Sequence, residues 1–372
     1  MKQDIKIFLK KFQRRTKMKK KLLAVLMTAA MVLSLVACGG KEEAPATEAP
    51  ATEEAAEAPA EALKIGLVTD LGGVEDQSFN QSAWEGLQRA EEEFGIEVNY
   101  LASTTDADYA PNIETFIDEE YDLIICVGYM LAEATRTAAE ANPDQMFAIV
   151  DDSSCSDLDN VACLMFKQEQ ASYLVGYVAG MMTEKDSVGL VLGMASDNMH
   201  LFGYGYSAGV LDANPNAAIL QANANSFGDP ALGSTLATNF ITNGADIIFH
   251  AAAATGTGVI SECEAKGIMA IGVDSDQNYL APETVITSAM KRVDNAVYDS
   301  AKQLVEGTLE AGVTVYDLSN AGVDIAPTTT LLTDEVIAAV EEVKEKIISG
   351  EIEVPTTKEA FEAAYGNVYE LD

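Results

Sequence analysis

From Leu63 onward, the chain alternates short apolar runs with longer segments in which apolar residues recur every three or four positions. Short apolar runs are typical of buried β-strands, and the longer periodic segments are typical of helices that bury one face. In the first half, the pattern predicts strands over 64–70, 96–101, 123–127 and 147–150, and helices over 80–94, 110–118 and 131–141. Strands that alternate with helices predict an α/β fold with parallel sheets.

The second half of the chain repeats this order of elements. Its predicted strands cover 188–193, 217–222, 246–250 and 269–273, and its predicted helices cover 203–213, 230–243 and 256–266. Asp122 lies 56 residues after Gly66, and Asp246 lies 57 residues after Gly189. Matching elements at matching spacings predict two copies of one α/β unit, joined around residues 165–187.

The segments that follow the repeat predict that the chain crosses back between two lobes. They are a strand over 284–288, a helix over 292–309, a strand near 322–326 and a helix over 334–348. We therefore expect an N-terminal lobe of residues 63–165 plus 286–315, a C-terminal lobe of 166–285 plus 316–350, and a C-terminal tail over 351–372. Such lobes bind a ligand beyond the carboxyl ends of their strands, in a cleft that closes by a hinge motion.

Residues 1–37 have the pattern of a secretory signal peptide, with the basic cluster Lys19–Lys21 followed by the apolar run Leu22–Val36. That run is too short to cross ~30 Å of hydrocarbon comfortably as a helix. The box Leu35-Val36-Ala37-Cys38 resembles the bacterial lipobox. It predicts that Cys38 is lipidated and holds the mature protein at the outer face of the cell membrane.

Two neighbouring segments complete the predicted N-terminal region. Met18 begins a more typical basic region, which suggests a misassigned start for residues 1–17. After Cys38, residues up to 62 are dominated by Ala, Pro, Glu and Thr, with no aromatic or branched aliphatic residue. Such a segment cannot bury enough surface to fold, so residues 38–62 are predicted to be a lipidated N-terminus and a disordered acidic tether.

The net charge and the cysteines limit the classes of function that the chain can have. A net charge of −36 argues against nucleic acid, whose phosphates require a basic surface. Cys126 lies in an apolar run and is expected in the core, and the absence of CxxC spacing gives no support to zinc or a redox pair. The sequence does not decide whether Cys155 and Cys163 form a disulfide. The sequence predicts neither a metal nor a cofactor, and we expect a monomer.

Two phenylalanines occupy equivalent positions in the predicted repeat. Phe79 lies 13 residues after Gly66, and Phe202 lies 13 residues after Gly189, each beside a polar, glycine-containing loop that follows a strand. Under a twofold relation of the lobes, the two rings would face each other and enclose a flat ring by stacking. The alternative is that each phenylalanine belongs to the core of its own lobe.

Polar residues near other strand ends are candidates for the rest of the site. Asp274 ends one predicted strand, and Lys291 follows another. The two side chains either bind vicinal hydroxyls of a ligand or form a salt bridge with each other. Asp70 either accepts a hydrogen bond from a base N–H or caps the following turn. His200 either borders the cleft or has a structural role.

Several motifs together resemble the basic membrane protein family of substrate-binding lipoproteins, over roughly residues 63–350. The run Asp76-Gln77-Ser78-Phe79-Asn80-Gln81 is the most specific of them. The others are Asp70, Trp84-Glu85-Gly86, Ala141-Asn142-Pro143, Asn160-Val161, Tyr173-Leu174-Val175-Gly176, Gly272-Val273-Asp274 and Ser288-Ala289-Met290-Lys291.

The resemblance implies a two-lobed type I periplasmic-binding fold that binds nucleosides, mostly purine ones, and delivers them to the permease of an ABC transporter. It also implies roles for six residues: Phe79 and Phe202 stack the base, Asp70 and Asn80 bond its edge, and Asp274 and Lys291 grip the ribose hydroxyls. The family often has a glycine-rich or small-residue turn after the strand at 246–250, where this chain has Ala251–Thr257.

Alternative functions remain at the level of sequence. A sugar or another small molecule could occupy a cleft of the same fold. A nucleoside hydrolase is disfavoured because the sequence lacks HExxH, GxSxG and a convincing catalytic triad. Its two histidines also offer few candidates for a general base. We therefore expect a binding protein and not an enzyme. A purely adhesive surface protein would not need a hinged cleft.

Overall fold

The computed structural model describes residues 62–328 and 330–371. The predicted signal peptide, Cys38 and nearly all of the tether lie outside these residues. Within the described ranges, no helix combines the length and the apolar character needed to cross a membrane.

Alternating strands and helices form two lobes, as the sequence predicts. The strands are β1 (Lys64–Thr69), β2 (Glu97–Leu101), β3 (Leu123–Val127), β4 (Met146–Val150), β5 (Val161–Phe166), β6 (Ser187–Leu192), β7 (Ala218–Asn223), β8 (Ile247–Ala251), β9 (Met269–Asp274), β10 (Val285–Lys291), β11 (Gly312–Tyr316) and β12 (Val323–Ile325). The helices are α1 (Phe79–Phe94), α2 (Tyr109–Asp118), α3 (Ala132–Ala141), α4 (Gln168–Met182), α5 (Asp197–Ala213), α6 (Pro230–Thr242), α7 (Ala253–Lys266), α8 (Val293–Glu306), α9 (Asp334–Ser349) and α10 (Lys358–Tyr365).

Each lobe contains one six-stranded sheet. The first has the order β11-β5-β4-β3-β1-β2 and is parallel throughout, and the second has the order β12-β10-β9-β8-β6-β7, in which only β12 is antiparallel. Helices cover both sheets, and the strands at the sheet centres are almost entirely buried. The predicted α/β fold is confirmed.

The internal repeat is visible in the packing of individual residues. A Cβ atom added to Gly66 on β1 would lie 2.6 Å from the ring of Phe116 on α2. At the equivalent place on β6, a Cβ atom on Gly189 would lie 2.7 Å from the ring of Phe240 on α6. Both lobes therefore use a glycine in the first strand of the unit to admit an aromatic ring from the unit's second helix.

The lobe boundary near residue 286 differs from the expected one. Strand β10 pairs in parallel with β9, so residues 285–291 belong to the second sheet, and the assignment of 286–291 to the N-terminal lobe is wrong. The chain crosses after β10, because α8 packs against α1 in the N-terminal lobe. It crosses again between β11 and β12, and the link from β5 to α4 is a third crossing.

Three further details differ from the sequence pattern. Helix α5 begins at Asp197, six residues before its expected start, because the Ser196 hydroxyl accepts a hydrogen bond from the Met199 N–H and caps the helix. The expected tail contains α10, whose Phe361 is fully buried. Cys155 and Cys163 are buried free thiols, so the disulfide that the sequence left open is not formed.

Candidate functional site

A cavity lies between the two lobes, at the carboxyl ends of their strands, and opens to solvent. All six predicted site residues line it: Asp70, Phe79, Asn80, Phe202, Asp274 and Lys291. Asn198 and the turn that begins at Ala251 also line it, and both follow strand ends in the sequence pattern. The lining residues that the sequence did not predict include Gly128, Tyr129, Asp151, Met199 and Phe227.

The first turn of α1 is held in place by the buried carboxylate of Asp76. This carboxylate accepts hydrogen bonds from the N–H groups of Ser78 (2.9 Å), Asn80 (2.9 Å) and Gln81 (3.1 Å). An acidic side chain that caps a helix N-terminus satisfies N–H groups that have no partner within the helix. Asp76 thereby fixes Phe79 and Asn80 at the wall of the cavity.

Asn80 presents an acceptor whose orientation is fixed by its neighbours. Its Nδ2 donates to Asp70 Oδ1 (2.7 Å) and Asp76 Oδ2 (3.1 Å), so the amide nitrogen must point towards the two carboxylates. Its Oδ1 is buried without a hydrogen-bond partner in the described part of the chain. Asp70 also accepts from the Gly72 N–H (3.3 Å), so it caps the turn as well as lining the cavity.

Lys291 occupies the centre of the site. It ends β10 and is 2% exposed, and its ammonium forms an ion pair with Asp151. The expected alternative of a salt bridge with Asp274 is therefore wrong. Its Nζ lies 5.1 Å from the ring centroid of Phe79 and 5.5 Å from that of Phe202. The two rings thus flank one charged group from opposite lobes.

Asp151 is the main residue that the sequence analysis missed. It follows β4, as Asp274 ends β9, and the two strands are equivalent in the repeat. The repeat could therefore have predicted Asp151 at the end of its strand. Its contact with Lys291 forms only because the two lobes approach each other. Its Oδ1 is buried without a partner among the described residues.

Asp274 connects the lobes, and its pKa is raised. Its carboxylate accepts a hydrogen bond from the Ser78 hydroxyl of the opposite lobe. Burial raises the pKa of Asp274 from 3.8 to about 7, against the opposing effects of Lys291 and Ser78. Burial also raises the pKa of Asp70 to about 6, against the lowering effect of its bond from Asn80. At both carboxylates, loss of hydration therefore outweighs the stabilising contacts.

One hydrogen bond of Gln277 also joins the lobes, and a second holds Gln277 to its own lobe. Its Nε2 donates to the Gln77 carbonyl of the N-terminal lobe (2.9 Å), and its Oε1 accepts from the Val273 N–H (2.9 Å). With the Ser78–Asp274 and Lys291–Asp151 pairs, these contacts indicate a closed cleft.

Four of the eight non-glycine residues with positive φ in the described part of the chain lie at or beside the cleft. Gln77, Asp151, Ala253 and Asp274 have φ values of +57°, +66°, +45° and +64°. Non-glycine residues adopt this region at a cost, and such residues cluster at ligand sites because the surrounding structure holds them there. Ala253 begins α7, within the alanine-rich turn that replaces the family's glycine-rich or small-residue turn.

The two histidines do not line the cavity. His200 faces the other side of α5, where Nδ1 lies 2.7 Å from the Tyr369 hydroxyl, so its role is structural. Burial lowers the pKa of His250 to about 4, which keeps it neutral at pH 7. Among the residues that the structure describes, no group of His, Cys, Asp and Glu is arranged to hold a metal ion.

Solved structures and characterised sequences share this organisation. A solute-binding protein of an ABC transporter system from Aeropyrum pernix superposes with a TM-score of 0.75 at 28% identity, covering 83% of this chain and all of that chain. The "CD4+ T-cell-stimulating antigen" of Listeria monocytogenes is 39% identical over 78% of this chain and 87% of its own length. The "ABC transporter nucleoside-binding protein BmpA" of Lactococcus lactis is 36% identical over 79% of this chain and 89% of its own length.

A family model described as "ABC transporter substrate-binding protein PnrA-like" matches residues 63–358, which contain both sheets and every residue of the cavity. The resemblance inferred from the Asp76–Gln81 motif is thereby confirmed. The chain belongs to the Bmp family of PnrA-like ABC transporter substrate-binding proteins.

Proposed function

We propose that this protein binds a purine nucleoside between its lobes, is anchored to the outer face of the cell membrane through a lipid on Cys38, and delivers the nucleoside to the permease of an ABC transporter. As a member of a family of substrate-binding proteins, the chain is not an enzyme. The relative from Lactococcus lactis, which is named as nucleoside-binding, supports this choice of ligand.

The observation that carries the proposal is the pair of aromatic rings on opposite lobes. Phe79 and Phe202 line one cavity and both approach Lys291. Two rings that line a shared space suit a flat heterocycle, since base–aromatic stacking contributes about 1–3 kcal/mol per base. A sugar stacks well on one ring but rarely requires two, which disfavours the sugar-binding alternative.

The polar atoms of the cavity suit the rest of a nucleoside. Asp70, Asn80 Oδ1, Asp151 Oδ1 and Asp274 are acceptors, and Lys291 is the cation among them. An acceptor-rich wall requires a donor-rich ligand, because a buried polar group without a partner costs free energy. Ribose hydroxyls can donate to Asp274, and the N1–H and 2-amino group of guanine can donate to Asp70 and Asn80. Guanosine is therefore a suitable probe.

Native mass spectrometry of protein purified without refolding tests the proposal most directly. We expect a bound species with the mass of a purine nucleoside, and calorimetry with guanosine should give a 1:1 complex. Ribose, glucose and arabinose serve as controls. A bound sugar, or heat release with a sugar and none with any nucleoside, would overturn the choice of ligand.

The raised pKa values predict a pH dependence. The folded-state pKa values of Asp70 (about 6) and Asp274 (about 7) exceed the ordinary value, so their contribution to stability falls as the pH rises from about 4 to about 7. Nucleoside donors require the ionised carboxylates. We therefore expect affinity to rise between about pH 5 and about pH 8, by on the order of tenfold or more, with proton release on binding.

Calorimetry in two buffers that differ in ionisation enthalpy measures this proton release. At an intermediate pH the apparent binding enthalpy should differ between the buffers. Identical enthalpies, together with equal affinities at the two ends of the pH range, would contradict the prediction.

The anchor is expected to serve delivery and not recognition. A variant that begins at Lys64 should bind guanosine with unchanged affinity, because every cavity-lining residue follows this position. Cells that carry only this variant should take up labelled nucleoside poorly, since the protein is no longer held near the permease. Cys38→Ala in the full chain is the matched variant for the lipid alone. Uptake at the full rate by both variants would remove the anchor from the proposal.

A further inference from the structure

Residues 358–371, here called the C-terminal strap, pack against the helix that carries much of the C-terminal side of the cavity. Helix α5 contributes Asn198, Met199 and Phe202 to the cavity wall. By the 3.6-residue period, His200 and Tyr204 lie on the opposite side of the same turns, and Gly203 lies at the border between the two sides. The strap covers this opposite side.

Tyr369 makes the central contact. Its hydroxyl lies 2.7 Å from His200 Nδ1, and its ring centroid lies 4.7 Å from that of Tyr204. A Cβ atom added to Gly203 would lie 2.3 Å from the Tyr369 hydroxyl oxygen, so the phenol rests directly on the backbone of α5. Gly203 is the neighbour of Phe202, which means that this contact is one residue away from the cavity.

Three further contacts hold the strap in place. The Tyr365 hydroxyl donates to Asp212 Oδ2 (2.9 Å) at the far end of α5, and Phe361 is fully buried. Beyond α10, Gln221 on β7 bonds the backbone twice, through Nε2 to the Val368 carbonyl (2.8 Å) and through Oε1 from the Glu370 N–H (3.1 Å). The strap is therefore an integral layer of the C-terminal lobe.

The family match ends at residue 358, so the strap lies beyond it. We propose that Tyr369 is a positioning residue for the cleft: through His200 and Gly203 it fixes the first turns of α5 and thus the place of Phe202 in the cavity. Tyr365 holds the opposite end of the same helix through Asp212, which does not line the cavity. The chain thereby offers two tyrosines with similar contacts and different expected effects.

Hydrogen exchange of the backbone amides in the ligand-free full chain tests the proposal without any ligand. Tyr369→Ala should speed exchange over residues 199–205 by about tenfold, because it removes a buried hydrogen bond and the packing on Gly203. Tyr369→Phe, which keeps the ring, should give a smaller increase over the same residues. Tyr365→Phe should speed exchange near Asp212 and leave 199–205 unchanged.

Guanosine affinity provides the second readout, and this arm rests on the proposed function. Tyr369→Ala should weaken binding by roughly three- to tenfold, Tyr369→Phe should recover part of the loss, and Tyr365→Phe should bind as the unmodified protein does. If the unmodified protein does not bind guanosine, the proposed ligand fails while the exchange data still decide the role of Tyr369.

Two results would overturn the proposal. One is unchanged exchange over 199–205 in both Tyr369 variants. The other is equal acceleration throughout the C-terminal lobe, which would mean that the strap contributes only general stability. Should Tyr369→Ala fail to fold, Tyr369→Phe is judged by the same two criteria.

Discussion

Replacing Phe79 or Phe202 with alanine is expected to weaken guanosine binding by roughly five- to 150-fold each, because stacking on an aromatic ring contributes about 1–3 kcal/mol per base. Phe79 opens α1 in one lobe, and Phe202 lies on α5 in the other. If the base lies between them, the two losses should be similar in size although the residues are far apart in sequence. Calorimetry with purified variants measures both.

A phenylalanine outside the cavity is the matched control. Phe94 ends the same helix as Phe79, and its ring packs on Tyr298 at 5.6 Å between centroids. Phe94→Ala should lower the free energy of unfolding and leave guanosine affinity unchanged. Unaltered affinity in both cavity variants would sink the stacking hypothesis, and a loss in only one of them would leave a single stacking ring.

Lys291→Met is expected to lower the free energy of unfolding by about 3–5 kcal/mol, since it strands the buried carboxylate of Asp151 without its cation. Methionine retains most of the side-chain length, so the loss reflects charge more than volume. The same variant should also lose guanosine binding, because the donor proposed for the ribose is gone. Urea unfolding and calorimetry measure the two effects separately.

The double variant Asp151→Asn/Lys291→Met separates charge imbalance from ligand contact. It should recover much of the unfolding free energy, because no unpaired charge remains, but it should not recover binding. Lys344→Met is the control for loss of a lysine from an ion pair. Its Nζ lies 2.6 Å from Asp324 Oδ2 in a partly exposed pair, which is expected to contribute about 1 kcal/mol or less. A similar loss in Lys291→Met and Lys344→Met would contradict the central role given to Lys291.

The strands and the positions of the site residues follow closely from sequence, because a buried parallel strand needs an uninterrupted apolar run. Asp70 and Asp274 come at the ends of such runs, so each lies at the carboxyl edge of its own sheet. The equal spacing of Phe79 from Gly66 and of Phe202 from Gly189 predicts equivalent positions for the two rings, because each unit repeats the same strand-to-helix path. All of these residues line one cavity in the structure.

Helix α4 shows why other elements are harder to predict. Gln168–Met182 is buried on nearly every side, against α5 and the second sheet, so it lacks the polar face that gives a surface helix its period. The early start of α5 depends on the cap by Ser196, a local hydrogen bond that apolar spacing does not report. Strand β10 was assigned to the wrong lobe because the point of crossing is set by its pairing with β9.

Contacts between lobes are the least accessible to sequence. Asp151 and Lys291 are 140 residues apart, and no local pattern relates them. Their pairing exists only because two separately folded sheets approach each other. The role of Tyr369 is equally hard to predict, because its contact with His200 spans 169 residues.

The hydrogen bonds of Gln277 and Ser78 across the cleft also affect the rates at which a ligand binds and leaves. They join groups that meet only when the lobes are together, so they contribute little to the encounter with a ligand and mainly slow its departure. If the protein carries a nucleoside as proposed, these bonds would prolong the bound state. We therefore expect faster release where a partner draws Gln77 away from Gln277.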